Sequence, residues 1–152
     1  MDSNSIMTWA TFVMAVAAVL SAIVAISAVI AESKRARLSL SFDLLERLDR
    51  KFESGSMLRL RRNVALGLLK NSFKDVGDLL DFFETLGIMT NHGAIDKRMV
   101  WNEFFYWVHR TMQLSDSYVK DARKSDPTIW EDVVKLYDEL KKIEITLTLH
   151  WI

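Results

Sequence analysis

The sequence predicts an all-α protein: a single N-terminal transmembrane helix followed by a cytoplasmic helical bundle of four to five helices. Three observations carry that expectation. No ionisable side chain lies between Asp2 and Glu32. Beyond Glu32, apolar residues recur at helical spacing in one segment after another. The 152 residues hold five glycines and one proline, too few for long loops between elements. The expected domains are an anchor at 1–33 and a helical domain at 34–152.

The anchor comes first. From Ile6 to Ala31 the only polar residues are Thr8, Thr11, Ser21 and Ser27. A run of that length exceeds the roughly 18 apolar residues that mark a spanning helix. At 1.5 Å per residue it would extend about 39 Å, against a hydrocarbon thickness near 30 Å. A cleaved secretory signal would need a basic start and a shorter apolar run, and the chain begins Met-Asp-Ser-Asn-Ser. The basic cluster Lys34, Arg35 and Arg37 follows the run. The positive-inside rule therefore predicts the amino terminus outside and the rest of the chain cytoplasmic, with the lipid bilayer as a partner.

Small residues line one face of this helix. Thr11, Met14, Ala18, Ser21, Ala25 and Ala28 are spaced by alternating threes and fours, a seam that lets two helices approach closely. Packing through Ala18, Ser21, Ala25 and Ala28 predicts a homo-oligomer. The alternative is that alanine is simply frequent in such helices.

Five helical segments are expected after Glu32. Leu38, Leu45, Leu48 and Phe52 place a helix from Lys34 to Phe52, continuous with the anchor. Glu53-Ser-Gly-Ser reads as its stop, with Gly55 at positive φ and Ser56 as the next cap. Met57 to Lys70 turns Met57, Leu60, Val64 and Leu68 to one side and Arg59, Arg62 and Asn63 to the other. A third run starts near Asp75 and ends at Gly87 as C-cap. Asn91-His-Gly-Ala is a turn, and Asp96 caps a fourth helix from Lys97, broken near Ser115 and reaching Lys124. Asp126-Pro127 starts the last helix, which buries Trp130, Val133, Val134, Tyr137 and Leu140. Ile145, Leu147, Leu149 and Trp151 read as a helical extension or an ordered tail.

Charge is balanced overall, 20 basic against 20 acidic residues, but unevenly spread. Lys34 to Lys70 carries ten basic and four acidic residues, a net of +6, while Asn71 onward carries ten and fourteen, a net of −4. The neutral total predicts no nucleic-acid partner. Near a membrane, Lys34, Arg35, Arg37, Arg59 and Arg62, with Arg61 grouped beside the last two, would face anionic headgroups, each contributing about 1 kcal/mol. The alternative is surface salt bridges to Asp43, Glu46 and Asp49.

Candidate chemistry is sparse. The chain has no cysteine, so thiolate metal sites and cysteine nucleophiles are excluded. His92, His109 and His150 lie far apart in sequence, without a carboxylate or second histidine at ligand spacing. Asp75, Asp78, Asp81 and Glu84 succeed one another at intervals of three, and read as a solvated acidic face before a divalent-cation site. Phosphate-binding glycine loops and nucleophile elbows are absent, as is the arginine-to-histidine spacing of four to six that marks helical ribonuclease domains. No catalytic residue, metal or cofactor is expected. The aromatic block Trp101 to Trp107 reads as core, with a partner-binding interface as its alternative.

The order of segments resembles a group of small bacterial proteins catalogued as a domain of unknown function, the DUF 4760 group. The residues that carry the resemblance are the apolar N-terminal run with the basic stretch after it, Leu79-Leu-Asp-Phe-Phe-Glu-Thr-Leu-Gly-Ile with the turn and Ala94-Ile-Asp, Phe104-Phe-Tyr-Trp, and the segment around Trp130. It implies a bacterial inner-membrane setting and a helical cytoplasmic domain, and no reaction. The expected function is a membrane-tethered, non-enzymatic interaction or oligomerisation protein that holds a cytosolic protein partner. The alternative is an oligomeric membrane effector or pore of a bacterial stress or phage-defence system. An enzyme acting on lipid or nucleotide ranks third.

Overall fold

Long uninterrupted stretches of good helix formers, punctuated by a few serine, glycine and aspartate stops, fold into helices alone. The computed structural model describes residues 3–149, with side chains described at Met14 and from residue 20 to 149. The described residues form six α-helices and no strand: α1 (Ser3–Phe52), α2 (Gly55–Leu68), α3 (Val76–Asn91), α4 (Lys97–Leu114), α5 (Asp116–Ser125) and α6 (Glu131–Leu149). The chain divides into two compact units, Met1–Ser39 and Leu40–Ile152.

In the first unit, α1 is continuous and the described side chains from Leu20 onward are exposed. Among the described residues no helix is long and apolar enough to cross a membrane. The described apolar stretch runs from Leu20 to Ala31 before Glu32, Lys34, Arg35 and Arg37 follow. The expected single-pass topology and inner-membrane location are corrected accordingly. The earlier part of the expected span, with Thr11 and Ala18, lies outside the residues whose side chains are described.

The second unit holds the core. The end of α1 contributes Leu45, Leu48 and Phe52, α2 gives Met57 and Val64, and α3 supplies six residues from Val76 to Leu86. Val100, Phe104, Val108 and Met112 of α4 face them, and Val133, Leu136 and Leu140 of α6 close the other side. The principal pairings are α3 with α6 and α4 with α6. Leu38, the first of the apolar positions that mark this part of α1, is 51 % exposed.

Several boundaries differ from expectation. Ser54, not Ser56, caps α2, its Oγ accepting from the Met57 amide at 3.4 Å, and Gly55 is helical rather than at positive φ. α3 runs past Gly87 to Asn91, and the positive φ of the turn belongs to Gly93 at 74°. That turn is tied to α1, whose Ser41 hydroxyl donates to the Ala94 carbonyl at 2.9 Å. Asp96 caps α4 as expected, accepting from the amides of Arg98 and Met99 at 2.9 and 3.3 Å. The expected break at Ser115 divides α4 from α5, with Ser115 fully buried and its Oγ donating to the Thr111 carbonyl. Asp126 folds its carboxylate onto Thr128 instead of starting α6, which begins five residues later. The tail is helical to Leu149.

Candidate functional site

The acidic ladder of α3 is the first feature with a structural explanation. Trp130 sits at φ 52° just before α6 and its indole donates to Asp81 Oδ1 at 2.8 Å. Two residues on, the Asp132 and Val133 amides donate to the Glu84 carboxylate at 3.2 and 2.7 Å. Glu84 thus caps the N-terminus of α6 from another helix, satisfying orphan amides and placing negative charge where the helix dipole favours it. Asn91 completes the clasp, donating to the Asp132 carbonyl at 3.1 Å and its carboxylate at 2.9 Å. The ladder is therefore neither a purely solvated face nor a cation cage. Among the described residues, no group of three or more histidine, aspartate or glutamate side chains is gathered for a metal ion.

An open cleft of about 710 Å³ lies beside that clasp, lined by charged residues of α4 and α6 and by Asn91 and His92. Its cations are paired internally. Glu139 accepts from Lys142 at 2.6 Å and from Lys97 at 2.8 Å, and Lys135 pairs with Glu131 at 2.7 Å. The Lys142 and then the Lys97 hydrogen bonds hold the Glu139 carboxyl down from 4.5 to about 2. A carboxylate depressed in the folded state contributes stability that is present above its unfolded pKa and lost as pH falls through its folded one. Glu139→Gln is thus expected to flatten the loss of stability between pH 4.5 and about 2, measured as the change of the thermal midpoint with pH.

Arg61 carries the most unusual environment. Its side chain is 8 % exposed. The guanidinium carbon lies 3.9 Å from the Phe52 ring centroid and 4.8 Å from that of Trp107, and Nη2 donates to Glu53 at 3.0 Å. A planar, weakly hydrated cation suits such a slot, where a lysine would lose the stacking. Sequence reasoning grouped Arg61 with Arg59 and Arg62 and missed its burial. The available signal was its position, in line with Met57, Val64 and Leu68 on the inward face.

The aromatic block divides between core and surface. Phe104 is 1 % exposed, packing edge-on to Phe52 at 5.2 Å, whereas Tyr106 is 66 % exposed and Trp107 39 %. On a third side, Trp101 stacks on Phe105 at 5.8 Å, and the His109 ring lies 5.3 Å from Phe105 and 5.6 Å from Tyr137 of α6. His92 is exposed in the turn after α3, and His150 lies outside the described residues. Among the described residues, neither His92 nor His109 belongs to a group of side chains that could hold a metal ion.

Of the other expected site residues, Lys34, Arg35, Arg37, Arg59 and Arg62 are exposed, as are Ser21, Ala25 and Ala28. The headgroup reading of the five basic residues rested on the membrane anchor that is corrected above. Of the carboxylates named as their alternative partners, Glu46 pairs with Arg50 at 3.4 Å, and Arg61 pairs instead with Glu53. What surrounds Ser21, Ala25 and Ala28 is apolar: Leu20, Ile23, Val24, Ile26, Val29 and Ile30 are each 51 % exposed or more.

Neither the curated proteins nor the solved structures contain a match to this chain. A family model does match, over residues 13–140, and the chain belongs to that family, described as a domain of unknown function (DUF4760).

Proposed function

We propose that this chain is a non-enzymatic interaction protein that self-associates through the apolar length of α1 and offers its helical bundle to a protein partner. The observation that carries the reading is the contiguous exposure of Leu20, Ile23, Val24, Ile26, Val29 and Ile30. Scattered exposed leucines need no explanation, but a contiguous apolar stretch marks an interface. A helix that is apolar all round is stable when neighbours cover it. A second α1 is the simplest cover, because the two surfaces are equally apolar and Ser21, Ala25 and Ala28 offer a low ridge for close approach. The ring- or pore-forming alternative required a membrane span and is not carried forward.

The native mass of the full chain tests this. A dimer or larger assembly is expected, and Ala25→Glu with Ala28→Glu is expected to weaken it at least about a hundredfold, because two carboxylates would be buried unpaired. A monomeric wild-type chain overturns the reading, and so does an assembly that the double variant leaves unchanged.

A further inference from the structure

α2 has two apolar faces, and only one of them is used by the core. Met57, Val64 and Leu68 turn inward with Arg61, while Leu58, Leu66 and Leu69 are 46, 49 and 83 % exposed. At 100° per residue, positions 58, 62, 65, 66 and 69 fall within one arc of the helix. The exposed stripe thus alternates leucine with Arg62, and Arg59 and Asn63 border it. α2 contains three arginines and no acidic residue. At its C-terminal end a recess of about 270 Å³ is lined by Leu66, Lys70 and Lys74, with Asn63 and Asp75 also at its wall.

Among the described residues, cations without an ion pair occur on this surface as they do at Arg47, Arg98, Arg110 and Lys141. Elsewhere Arg50, Lys97, Lys120, Lys124, Lys135 and Lys142 each hold a carboxylate within 3.4 Å. Among the described residues, no ion pair is formed by Arg59, Arg62, Lys70 or Lys74. Next to Arg61, which α2 sends inward, the exposed Trp107 and Tyr106 rings meet edge to face at 5.4 Å.

We propose that this face of α2 docks an acidic amphipathic helix of a partner protein, whose apolar residues cover Leu58, Leu66 and Leu69 and whose carboxylates pair with Arg59, Arg62, Lys70 and Lys74. Apolar anchors at helical spacing supply the burial, and unpaired cations within the stripe and along one side of it select the sign of the partner. The surface lies in the second unit and does not depend on self-association through α1, so the two readings fail separately.

The test is selection of binders to the full chain from a displayed library of amphipathic helices with leucines at fixed helical spacing and randomised flanking charges. Enriched helices are expected to be acidic, to bind at least about tenfold more weakly to the Arg59→Glu, Arg62→Glu variant, and to weaken likewise on Leu66→Ser with Leu69→Ser. The charge-reversed variant is expected to select basic helices in their place. All four side chains are exposed, and unchanged thermal unfolding of the variants checks that the bundle is intact. Enrichment of neutral or basic helices on the wild-type chain overturns the proposal, as does binding that the α2 variants leave intact. A surface that takes vesicles of anionic lipid but no acidic helix also overturns it.

Discussion

Replacing Gly87 by alanine is expected to destabilise the bundle by about 2 kcal/mol, although alanine is the better helix former by roughly 1 kcal/mol. Gly87 is buried in the middle of α3, where propensity alone predicts a gain. A Cβ built there would stand 2.6 Å from both the carbonyl carbon and oxygen of Asp132 and 2.9 Å from the Val133 nitrogen. These are backbone atoms at the very start of α6, and they cannot rotate away. Relief requires α6 to shift outward, which stretches the Glu84 bonds to the Asp132 and Val133 amides and the Asn91 bonds to Asp132. Losing a helix cap costs about 1 kcal/mol or more, and forcing extra atoms into a packed contact costs about 1 to 3 kcal/mol. The losses outweigh the propensity gain. Chemical unfolding followed by circular dichroism reads the sign directly, and a stabilised Gly87→Ala variant would show that α6 does not approach α3 this closely.

Phe52→Ala is expected to have the larger effect, about 4 kcal/mol. The ring is 3 % exposed and meets four others: Phe82 at 5.3 Å, Phe83 at 6.0 Å, Phe104 at 5.2 Å and Trp107 at 5.6 Å. It also carries the Arg61 guanidinium on its face. Truncation leaves a cavity where α1, α3 and α4 converge and strips a buried cation of one of its two aromatic neighbours. A loss of that size is comparable with the whole stability of many domains, about 5 to 15 kcal/mol. Phe52→Leu refills most of the volume but not the face that Arg61 rests on, so it separates packing from cation–π attraction. The expected order of denaturation midpoints is wild type, Phe52→Leu, Phe52→Ala. Equal midpoints for Phe52→Leu and the wild type would show that the ring face contributes nothing beyond its volume.

Most elements of the bundle were legible in the sequence, because an amphipathic helix announces its inward face at a fixed interval. The Met57–Val64–Leu68 and Leu79–Leu80–Phe83–Leu86 patterns, the Asp96 cap and the break at Ser115 all stand in the structure where the sequence placed them. Helix ends read less well. Gly87 looked like a C-cap, since glycine commonly fills that position, and Asp126-Pro127 looked like a start. Both signals are local, and the contacts that decide the outcome come from residues more than forty positions away. Gly87 is where it is because α6 passes close over it. Glu84 from α3 performs the capping that Asp126 was expected to perform, leaving Asp126 free to close on Thr128.

The same division applies to the candidate surfaces. The uneven charge was visible as a local count, and the all-helical class and the apolar stretch of α1 followed from composition and periodicity, whereas the family entered as a resemblance. Which of three neighbouring arginines is sequestered depended on Phe52 and Trp107 converging from two other helices. Whether the leucines of α2 were core or surface depended on how many sides of that helix its neighbours cover. By itself the sequence determined that the chain is helical and where most helices run, because hydrogen bonding within a helix and the spacing of its apolar residues are local properties. Only the tertiary structure decided which charges are paired, which glycine is a contact, and which apolar faces stay exposed, because burial is a property of the neighbours that arrive from elsewhere in the chain.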